Sequence, residues 1–322
     1  MTPTRRLALA LAALTFSGTA LAQAWPAKPI RIVVPFPPGG GTDIIARETS
    51  QKVAAATGWT FVIDNKPGAG GNLGVDAAAK SPADGYTIVI GQTSNLAVNP
   101  TLYAKMPYDS QKDLAPIVLL ANAPLVMVTG ANSPFKTLAD AVNAAKAKPG
   151  GLNFASPGNG TVAHLTSEML QKAANIKTQH VPYKGAAQAL TDVISGTVEL
   201  YMSSVPTLIG QIRNGKLRPL AVSSAKRVDD LPNVPTINES GYQGFDAVTW
   251  FGLLAPAGTP REAISRLNAE FNKALLNPEL RKKLGDEGAD PAGGTPEQFA
   301  ALIRDEIPRW GKVVKESGAK VD

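Results

Sequence analysis

The sequence predicts an α/β protein made of two domains in which strands and helices alternate. Three early apolar runs, Ile30–Val34, Thr60–Asp64 and Tyr86–Gly91, have the length and β-branched content of buried strands. Each run is followed by a loop rich in glycine or small polar residues and then by a helical pattern, which is the order of a parallel sheet with crossover helices. A chain of 322 residues is long enough for two such units.

The end of the first unit is marked by a change of pattern. After the second strand, Asn72 is predicted as the N-cap of a helix over Leu73–Lys80. The stretch Ala115–Thr129 is predicted as two short apolar strands, interrupted at Asn122-Ala123-Pro124. We interpret this interruption as the crossing into the second domain.

The same alternation continues to the end of the chain. For the second domain we predict helix Thr137–Lys148, strand Asn153–Ser156, helix Val162–Ala174, strand Thr178–Pro182, helix Ala186–Ser195, strand Val198–Ser203, helix Pro206–Asn214 and strand Leu217–Ser223. A strand over Thr249–Ala255 and three helices with proline near the first turn, Pro260–Leu275, Pro278–Glu287 and Pro296–Ser317, complete the first domain. The predicted domains are therefore 23–122 with 224–322, and 123–223.

The N-terminus has the pattern of a secretory signal peptide over residues 1–22. Arg5 and Arg6 precede an apolar run, Leu7–Leu21, that is too short for a stable membrane span. Ala20-Leu21-Ala22 fits the small-x-small cleavage rule, so we expect cleavage before Gln23 and a periplasmic protein. An uncleaved anchor is the alternative.

Composition narrows the class of protein further. Hydrophobic residues make up 44% of the chain, and the absence of cysteine excludes disulfides, thiolate metal ligands and a cysteine nucleophile. The net charge is +6, and +4 remains once the two leader arginines are subtracted. This excess is spread along the chain, whereas nucleic-acid binding favours a basic stripe with aromatic residues. We expect no nucleic-acid partner, no metal and no cofactor.

The stretch Ile30–Asp43 is the first candidate for a binding site. Proline at Pro35 ends the strand because it cannot donate to a sheet ladder, and three glycines follow. Thr42 and Asp43 are good N-cap residues for a helix over Ile44–Ala56. Such a turn leaves backbone N–H groups free at a helix N-terminus, which favours an anion.

This loop matches neither common nucleotide-binding motif. A Walker loop needs Gly-Lys-Ser/Thr, whereas Gly41 is followed by Thr42 and Asp43. The dinucleotide fingerprint needs a glycine where Ile44 stands. A tight turn without a ligand stays open for this loop alone. Similar loops after the next two strands favour a ligand, because open α/β sheets bind ligands at the carboxyl ends of their strands.

An enzymatic site is not indicated. His164 lies in a predicted helix among apolar residues and is interpreted first as a core or hinge-side histidine, with donation into the cleft as the alternative; His180 lies within a short strand. The sequence contains neither HExxH nor GxSxG, and the glycine-rich loops hold no pair of carboxylates for acid–base chemistry. We therefore expect a binding protein rather than an enzyme.

The order and spacing of several motifs resemble the Bug or TctC-like family, the periplasmic solute receptors of tripartite tricarboxylate transporters. These motifs are WPAKPIRIVVPFPPGGGTD, NKPGAGGNLG, SPADGYTI, FASPGNGTVAHL, VPYKG and WFGLLAPAGTP. The resemblance covers the whole mature chain. It implies a two-domain type II periplasmic-binding-protein fold whose cleft closes about two hinge crossings, a small carboxylate ligand, and delivery to membrane permease subunits.

The resemblance also implies a set of site residues. The first two loops would grip a carboxylate, partly through bridging waters, and the third loop and the second domain would form the rest of the cleft. The residues are Gly39, Gly40, Gly41, Thr42, Asp43, Ala69, Gly70, Gly71, Asn72, Ser94, Asn95, Ser156, Gly158, Thr161, Gly185 and Ser203, with Phe36 as an aromatic lid. Trp250 or Phe251, and Tyr183, are further lid candidates, and an ordinary place in the core stays an open alternative for all of these aromatic residues, Phe36 included.

The membrane partner of the protein is left open by the sequence. The same fold can present its ligand to a membrane sensor kinase instead of a permease, and the sequence does not separate the two. The protein is expected to be a monomer, with hinges at Asn122–Leu125 and Leu220–Ser224. Asp43 would repel an anion if it faced the ligand, so we predict that its carboxylate caps the helix amides.

Overall fold

In the computed structural model, which describes residues 25–321, the chain forms two α/β lobes that share one long strand. The strands are β1 (Ile30–Val34), β2 (Phe61–Asn65), β3 (Thr87–Gln92), β4 (Leu114–Gly130), β5 (Asn153–Ser156), β6 (Gln179–Pro182), β7 (Leu200–Ser204), β8 (Leu217–Val222), β9 (Val248–Pro256) and β10 (Asp290–Pro291). The helices are α1 (Gly41–Thr57), α2 (Asn72–Ala79), α3 (Asn99–Leu102), α4 (Leu138–Ala147), α5 (Val162–Ala174), α6 (Ala186–Ser195), α7 (Val205–Arg213), α8 (Arg261–Leu276), α9 (Pro278–Asp286) and α10 (Pro296–Ser317).

The predicted alternation of strands and helices is confirmed, and the bounds of β5, α5, α6 and α10 agree residue for residue. A 3₁₀ turn at Ala69–Gly71 and a π-helical turn at Ser94–Val98 fill two of the loops. The predicted signal peptide lies outside the described residues. Among the residues described, no helix is both long and apolar enough to cross a membrane.

The sheet order places the loops of each lobe at one edge. The strands run β2-β1-β3-β9-β4-β7-β5-β6, with β8 and β10 also paired to β4. In the first lobe β1 is parallel to β2 and β3, and in the second lobe β5 is parallel to β6 and β7. Parallel neighbours end at the same edge, so the glycine-rich loops of each lobe cluster and face a common cleft.

The prediction of two short strands over Ala115–Thr129 is wrong, because β4 is continuous. Up to Pro124 it pairs with β9, and from Leu125 it pairs with β7. Pro124 has no N–H to donate, but this gap falls where the strand changes partners. The next amide, that of Leu125, donates to Ser223 Oγ at 3.0 Å, so the strand passes between the lobes without a break.

Two predicted N-caps need correction, and one short strand was missed. Gly40, not Thr42 or Asp43, is the N-cap of α1, and Gly71, not Asn72, is the N-cap of α2. Both helices begin earlier than predicted because glycine turns the backbone directly into the first helical residue. The two-residue strand β10 was not predicted, since a pair of residues carries no periodicity.

Candidate ligand-binding site

The cleft between the lobes consists of two adjoining chambers. The inner chamber, a cavity of about 50 Å³, lies at the N-terminus of α1 and is lined by residues that include Gly40, Gly41, Thr42, Gln92, Ser94, Ser203, Ser204, Thr207, Thr249 and Phe251. The outer chamber, about 450 Å³, is lined by residues that include Gly68, Ala69, Gly70, Gly71, Tyr103, Gly158, Asn159, Tyr183, Lys184 and Val321. Phe36, Pro37, Pro157, Thr161 and Gly185 line both chambers and separate them.

The loop before α1 is fixed from beneath by a buried carboxylate. Asp43 accepts hydrogen bonds from the Gly39 amide at 3.0 Å, from Arg47 Nε at 2.9 Å and from Asn65 Nδ2 at 3.0 Å. Burial raises the pKa of Asp43, but these hydrogen bonds outweigh burial and the net effect is a lowered pKa. Asp43 therefore stays ionised and is turned away from the inner chamber, although it is not the N-cap that was predicted.

The N-terminus of α1 meets the second lobe directly. The Gly41 amide donates to Thr207 Oγ1 at 3.0 Å, and Thr207 Oγ1 lies 3.0 Å from Ser204 Oγ. A Cβ at Gly41 would lie 2.6 Å from Ser204 Oγ, so a side chain there would require Ser204 or the second lobe to shift. The two lobes are thus in contact. The hydroxyl of Thr207 accepts the hydrogen bond from the Gly41 amide, one of the N–H groups that the sequence analysis predicted would bind an anion.

The second glycine-rich loop rests on a buried network of asparagine side chains. Asn99 Nδ2 donates to Gly70 O at 3.2 Å and to Asn72 Oδ1 at 2.7 Å, and Tyr108 OH donates to Asn72 Oδ1 at 3.0 Å. Asn95 Oδ1 accepts from the Gln92 amide at 3.0 Å. Asn72 and Asn95 are both buried and line neither chamber, so they shape the loops from below.

In the second lobe, Thr161 is the N-cap of α5. Its hydroxyl accepts from the His164 amide at 3.3 Å and donates to Gly158 O at 2.8 Å. Ser156 is fully buried, and its hydroxyl bonds with Gly158 and with His180 Nε2. Thr161 and Gly158 therefore line the cleft, whereas Ser156 lies behind them.

The two histidines form a stacked pair behind this loop. The His164 and His180 rings lie 4.0 Å apart, centroid to centroid, and 7° from parallel. Burial lowers the pKa of His164 to about 4; burial and then the charge of His164 lower the pKa of His180 to about 3. Both rings are therefore neutral at neutral pH, in agreement with a structural role.

This pair predicts a loss of stability in mild acid. In the unfolded chain the two histidines become protonated below about pH 6.5, whereas in the folded chain their lowered pKa values keep them neutral. The free energy of unfolding therefore decreases as the pH falls from roughly 6.5 to 4. Burial raises the pKa of Glu168, which acts in the opposite direction. Urea unfolding at several pH values, compared with the His164→Asn/His180→Gln double variant, isolates the histidine effect. Equal slopes in the parent and the double variant would contradict it.

The structure brings most of the predicted site residues together. The twelve that line one chamber or both are Phe36, Gly40, Gly41, Thr42, Ala69, Gly70, Gly71, Ser94, Gly158, Thr161, Gly185 and Ser203. The other five, Gly39, Asp43, Asn72, Asn95 and Ser156, lie outside the chamber linings. Of the lid candidates, Phe251 lines the inner chamber and Tyr183 the outer one. Trp250 is buried and donates to Glu306 Oε2 at 3.2 Å.

Several lining residues were missed from the sequence. Gln92, Ser204, Thr207 and Thr249 bring polar groups to the inner chamber, and no glycine motif marks them. Ser204 and Thr207 flank the start of α7, where Ser204 is the N-cap. A strand that ends in Ser-Ser before a helix is the only signal that pointed there, and the prediction stopped at Ser203.

The inner chamber has no charged side chain among the described residues that line it. Seven of its lining residues carry hydroxyl groups: Thr42, Ser94, Thr161, Ser203, Ser204, Thr207 and Thr249. Lys184 lines the outer chamber. Within residues 25–321 no group of three or more His, Asp or Glu side chains is placed to hold a metal ion.

Two lobes of this topology, with a cleft at the carboxyl ends of their strands, define a periplasmic binding protein. The sequence profile of the tripartite tricarboxylate transporter family receptor (TctC) matches residues 45–319, and the chain belongs to this family. Its family and fold are those of solute-binding receptors rather than enzymes.

Relatives and solved structures agree with this assignment. Protein BugT of Bordetella pertussis is 40% identical over 301 residues, covering 93% of this chain and 92% of BugT. The structure of R. palustris Rpa4515 with adipate has a TM-score of 0.90 at 36% identity, covering 92% of this chain and all of the other. MatC from Rhodopseudomonas palustris with bound malate has a TM-score of 0.85 at 31% sequence identity, covering 90% of this chain and 100% of MatC. The periplasmic binding protein BugD has a TM-score of 0.88 at 31% sequence identity, covering 92% of this chain and 99% of BugD.

Proposed function

We propose that this protein captures a small carboxylate in the periplasm and delivers it to the permease subunits of a tripartite tricarboxylate transporter. The observation that carries the proposal is the inner chamber, in which helix N-terminal amides and hydroxyl groups converge without a charged side chain. Backbone N–H groups and the positive end of a helix dipole stabilise an anion without fixing its identity. The acid bound by Rpa4515, adipate, and that bound by MatC, malate, support the same ligand class.

The ligand proposed is a mono- or dicarboxylate, or an acidic or amidated amino acid. One carboxylate lies in the inner chamber against Gly40, Gly41 and Thr42, where the hydroxyls of Ser204 and Thr207 take part in binding. Thr207 then exchanges its bond with the Gly41 amide for one to the ligand. The rest of the ligand extends past Phe36 toward the outer chamber, where Lys184 supplies a positive charge.

Asp43, Asn72, Asn95, Ser156 and Gly39 are proposed as supports of the site rather than ligand contacts. None of the five lines either chamber, and each makes a hydrogen bond within its own lobe. A buried carboxylate that is already bonded to an arginine and to amides does not repel a ligand on the far side of the loop as a free one would. This assignment keeps the anion and Asp43 on opposite sides of the Gly39–Gly41 turn.

Closure is proposed to bend the chain at the crossings Asn122–Leu125 and Leu220–Ser224. Ser223 supports this location of the hinge, because its backbone and hydroxyl make hydrogen bonds to Leu125 on β4 and to Ala247 before β9 and so join the two crossings. Few backbone changes at the ends of elements can absorb a domain closure. Leu231 and Val234 pack with the core of the second lobe, which favours extending that domain beyond 123–223 toward the start of β9.

A thermal-shift screen of small carboxylic acids tests the ligand class. A ligand that binds only the native state raises the melting temperature by mass action, by an amount that grows with its concentration. We expect a shift with malate, adipate or a close relative, and none with the corresponding diamides. A shift with neutral sugars and with none of the acids would contradict the proposal.

Export is tested separately from binding. N-terminal sequencing of periplasmic material should begin at Gln23, or at Trp25 if cleavage follows Ala24. Intact Met1 on membrane-bound protein would contradict a cleaved leader. Delivery predicts that deletion of the gene abolishes uptake of the acid identified in the screen, whereas a sensory role would leave uptake unchanged.

A further inference from the structure

The loop Ser156–Thr161 of the second lobe packs closely against the first lobe beside the outer chamber. A Cβ at Gly160 would lie 2.4 Å from Leu102 Cδ2 and 3.1 Å from Asn99 Oδ1. A Cβ at Gly70 would lie 3.4 Å from the carbonyl oxygen of Asn159. The loop is therefore one of the contacts between the two lobes, and a change in its shape would change that contact.

Three stacked rings stand behind the loop. Phe154 on β5, His180 on β6 and His164 on α5 form a stack of rings. The ring centroids of Phe154 and His180 lie 5.2 Å apart, and those of His180 and His164 lie 4.0 Å apart. Phe154 and His180 are register partners in the β5–β6 pair, so the sheet itself places these two rings side by side. The stack of rings therefore connects β5 and β6 with α5, the helix that follows the loop.

Each histidine also holds one part of the loop through a ring nitrogen. His180 Nε2 lies 2.7 Å from Ser156 Oγ, which in turn bonds with the backbone of Gly158. His164 Nδ1 accepts from the Gly160 amide at 3.3 Å. The two rings thus reach the beginning and the tip of the loop, while Thr161 caps α5 at its end.

The hydrogen bond from Gly160 fixes the protonation of His164. An Nδ1 atom that accepts a hydrogen bond carries no proton, so the proton of the neutral ring is on Nε2, which lies 3.8 Å from Glu168 Oε1. A ring that only filled the core would need no acceptor at this position. Leucine would fill similar space with no polar atom to bury.

We propose that His164 and His180 are positioning residues for ligand capture, and that the stacked pair holds the Ser156–Thr161 loop in the shape that closes on the first lobe. The inference about ligand capture rests on the proposed function, whereas the inference about the shape of the loop does not. The pair acts through the loop and touches no ligand itself.

Paired substitutions separate positioning from packing. His164→Leu and His180→Leu keep apolar bulk but remove the ring nitrogens. His164→Asn keeps an acceptor near the position of Nδ1, and His180→Gln keeps a polar group near that of Nε2. Gly210→Val is the matched control, because Gly210 is exposed on α7 and its Cβ would meet no atom within 4 Å.

The first measurement is amide hydrogen exchange in the ligand-free protein. We expect each leucine variant to exchange Gly158 and Gly160 at least about tenfold faster than the parent, the factor that corresponds to one hydrogen bond of ordinary strength. The conservative variants should restore most of the protection, and the strand β1 should be unchanged throughout. Unchanged exchange at the loop, or equal acceleration in β1, would overturn the proposal.

The second measurement is the affinity for malate and adipate by calorimetry. The leucine variants should bind about tenfold more weakly, and the asparagine and glutamine variants should recover most of that loss. Equal losses in all four variants would overturn the role of the ring nitrogens. If the parent binds no carboxylate at all, the proposed function fails, and the exchange measurement still decides whether the pair positions the loop.

Discussion

Gly40→Val is expected to abolish carboxylate binding while the protein remains folded. Gly40 has φ −85° and ψ 164°, a conformation that any residue adopts, and a Cβ there would meet only Pro37 O at 3.9 Å. Because Gly40 lines the inner chamber, where the carboxylate is proposed to lie, we expect the valine side chain to take up space that the ligand needs. We expect affinity to fall about a hundredfold or more, or roughly 2.7 kcal/mol, in calorimetry with the acid found in the screen.

The folded state of this variant is checked by its far-UV spectrum and its melting temperature. Valine is a poorer N-cap than glycine, so a small loss of stability is expected in α1. Gly210→Val serves as the control, because it adds the same side chain at an exposed position on α7. Binding by Gly40→Val equal to that of the parent would show that the glycine loop is only a turn.

Gly41→Val is expected to keep the cleft from closing. Gly41 is the first residue of α1 and its backbone is helical, so valine causes no strain within the first lobe. Its Cβ would lie 2.6 Å from Ser204 Oγ and 3.5 Å from both Phe251 Cζ and Thr207 Oγ1. We expect a larger radius of gyration in solution scattering at saturating acid, and at least about a tenfold loss of affinity.

A second substitution tests whether the clash across the cleft is the cause. Ser204→Ala removes the hydroxyl that lies nearest to the new side chain. The Gly41→Val/Ser204→Ala double variant should recover part of the closure and part of the affinity, which a double-mutant cycle measures as a favourable interaction. Strictly additive losses would indicate that Gly41 acts only within its own lobe.

Local sequence patterns were sufficient to predict most of the secondary structure. The helix Val162–Ala174 agrees residue for residue because an N-cap threonine marks its start, and Pro296–Ser317 agrees because Thr295 and proline mark its first turn. The break expected at Pro124 was wrong for a tertiary reason. The missing N–H falls where β4 changes from β9 to β7, and the sequence does not show which neighbour a strand has at each residue.

The site was predicted less completely than the fold. Glycine-rich loops after parallel strands identified the first-lobe side of the cleft, since their position follows from topology alone. Whether a side chain in such a loop faces the cleft or the interior depends on partners distant in the chain. Asn72 turns inward to meet Asn99 and Tyr108, and Ser156 turns back to His180. Thr207 was missed because its role depends on the contact between the lobes.

In the proposed binding mode, the inner chamber holds an anion with no cation in contact with it. A bidentate arginine would bind a carboxylate strongly, but it would also fix the geometry of the acid. Amides of α1 and hydroxyls of Ser204 and Thr207 can meet a carboxylate in more than one orientation, with ordered water filling the gaps. This arrangement is suited to a family whose members differ in the acid that they bind.

We propose that the cleft recognises the negative charge of a small acid, and calorimetry with the acid found in the screen and with its amide of the same size separates charge from shape. We expect one acid to bind per chain and the amide to bind at least about a hundredfold more weakly, because the amide brings no negative charge to the helix N-terminus. Equal affinity for the acid and its amide would contradict it.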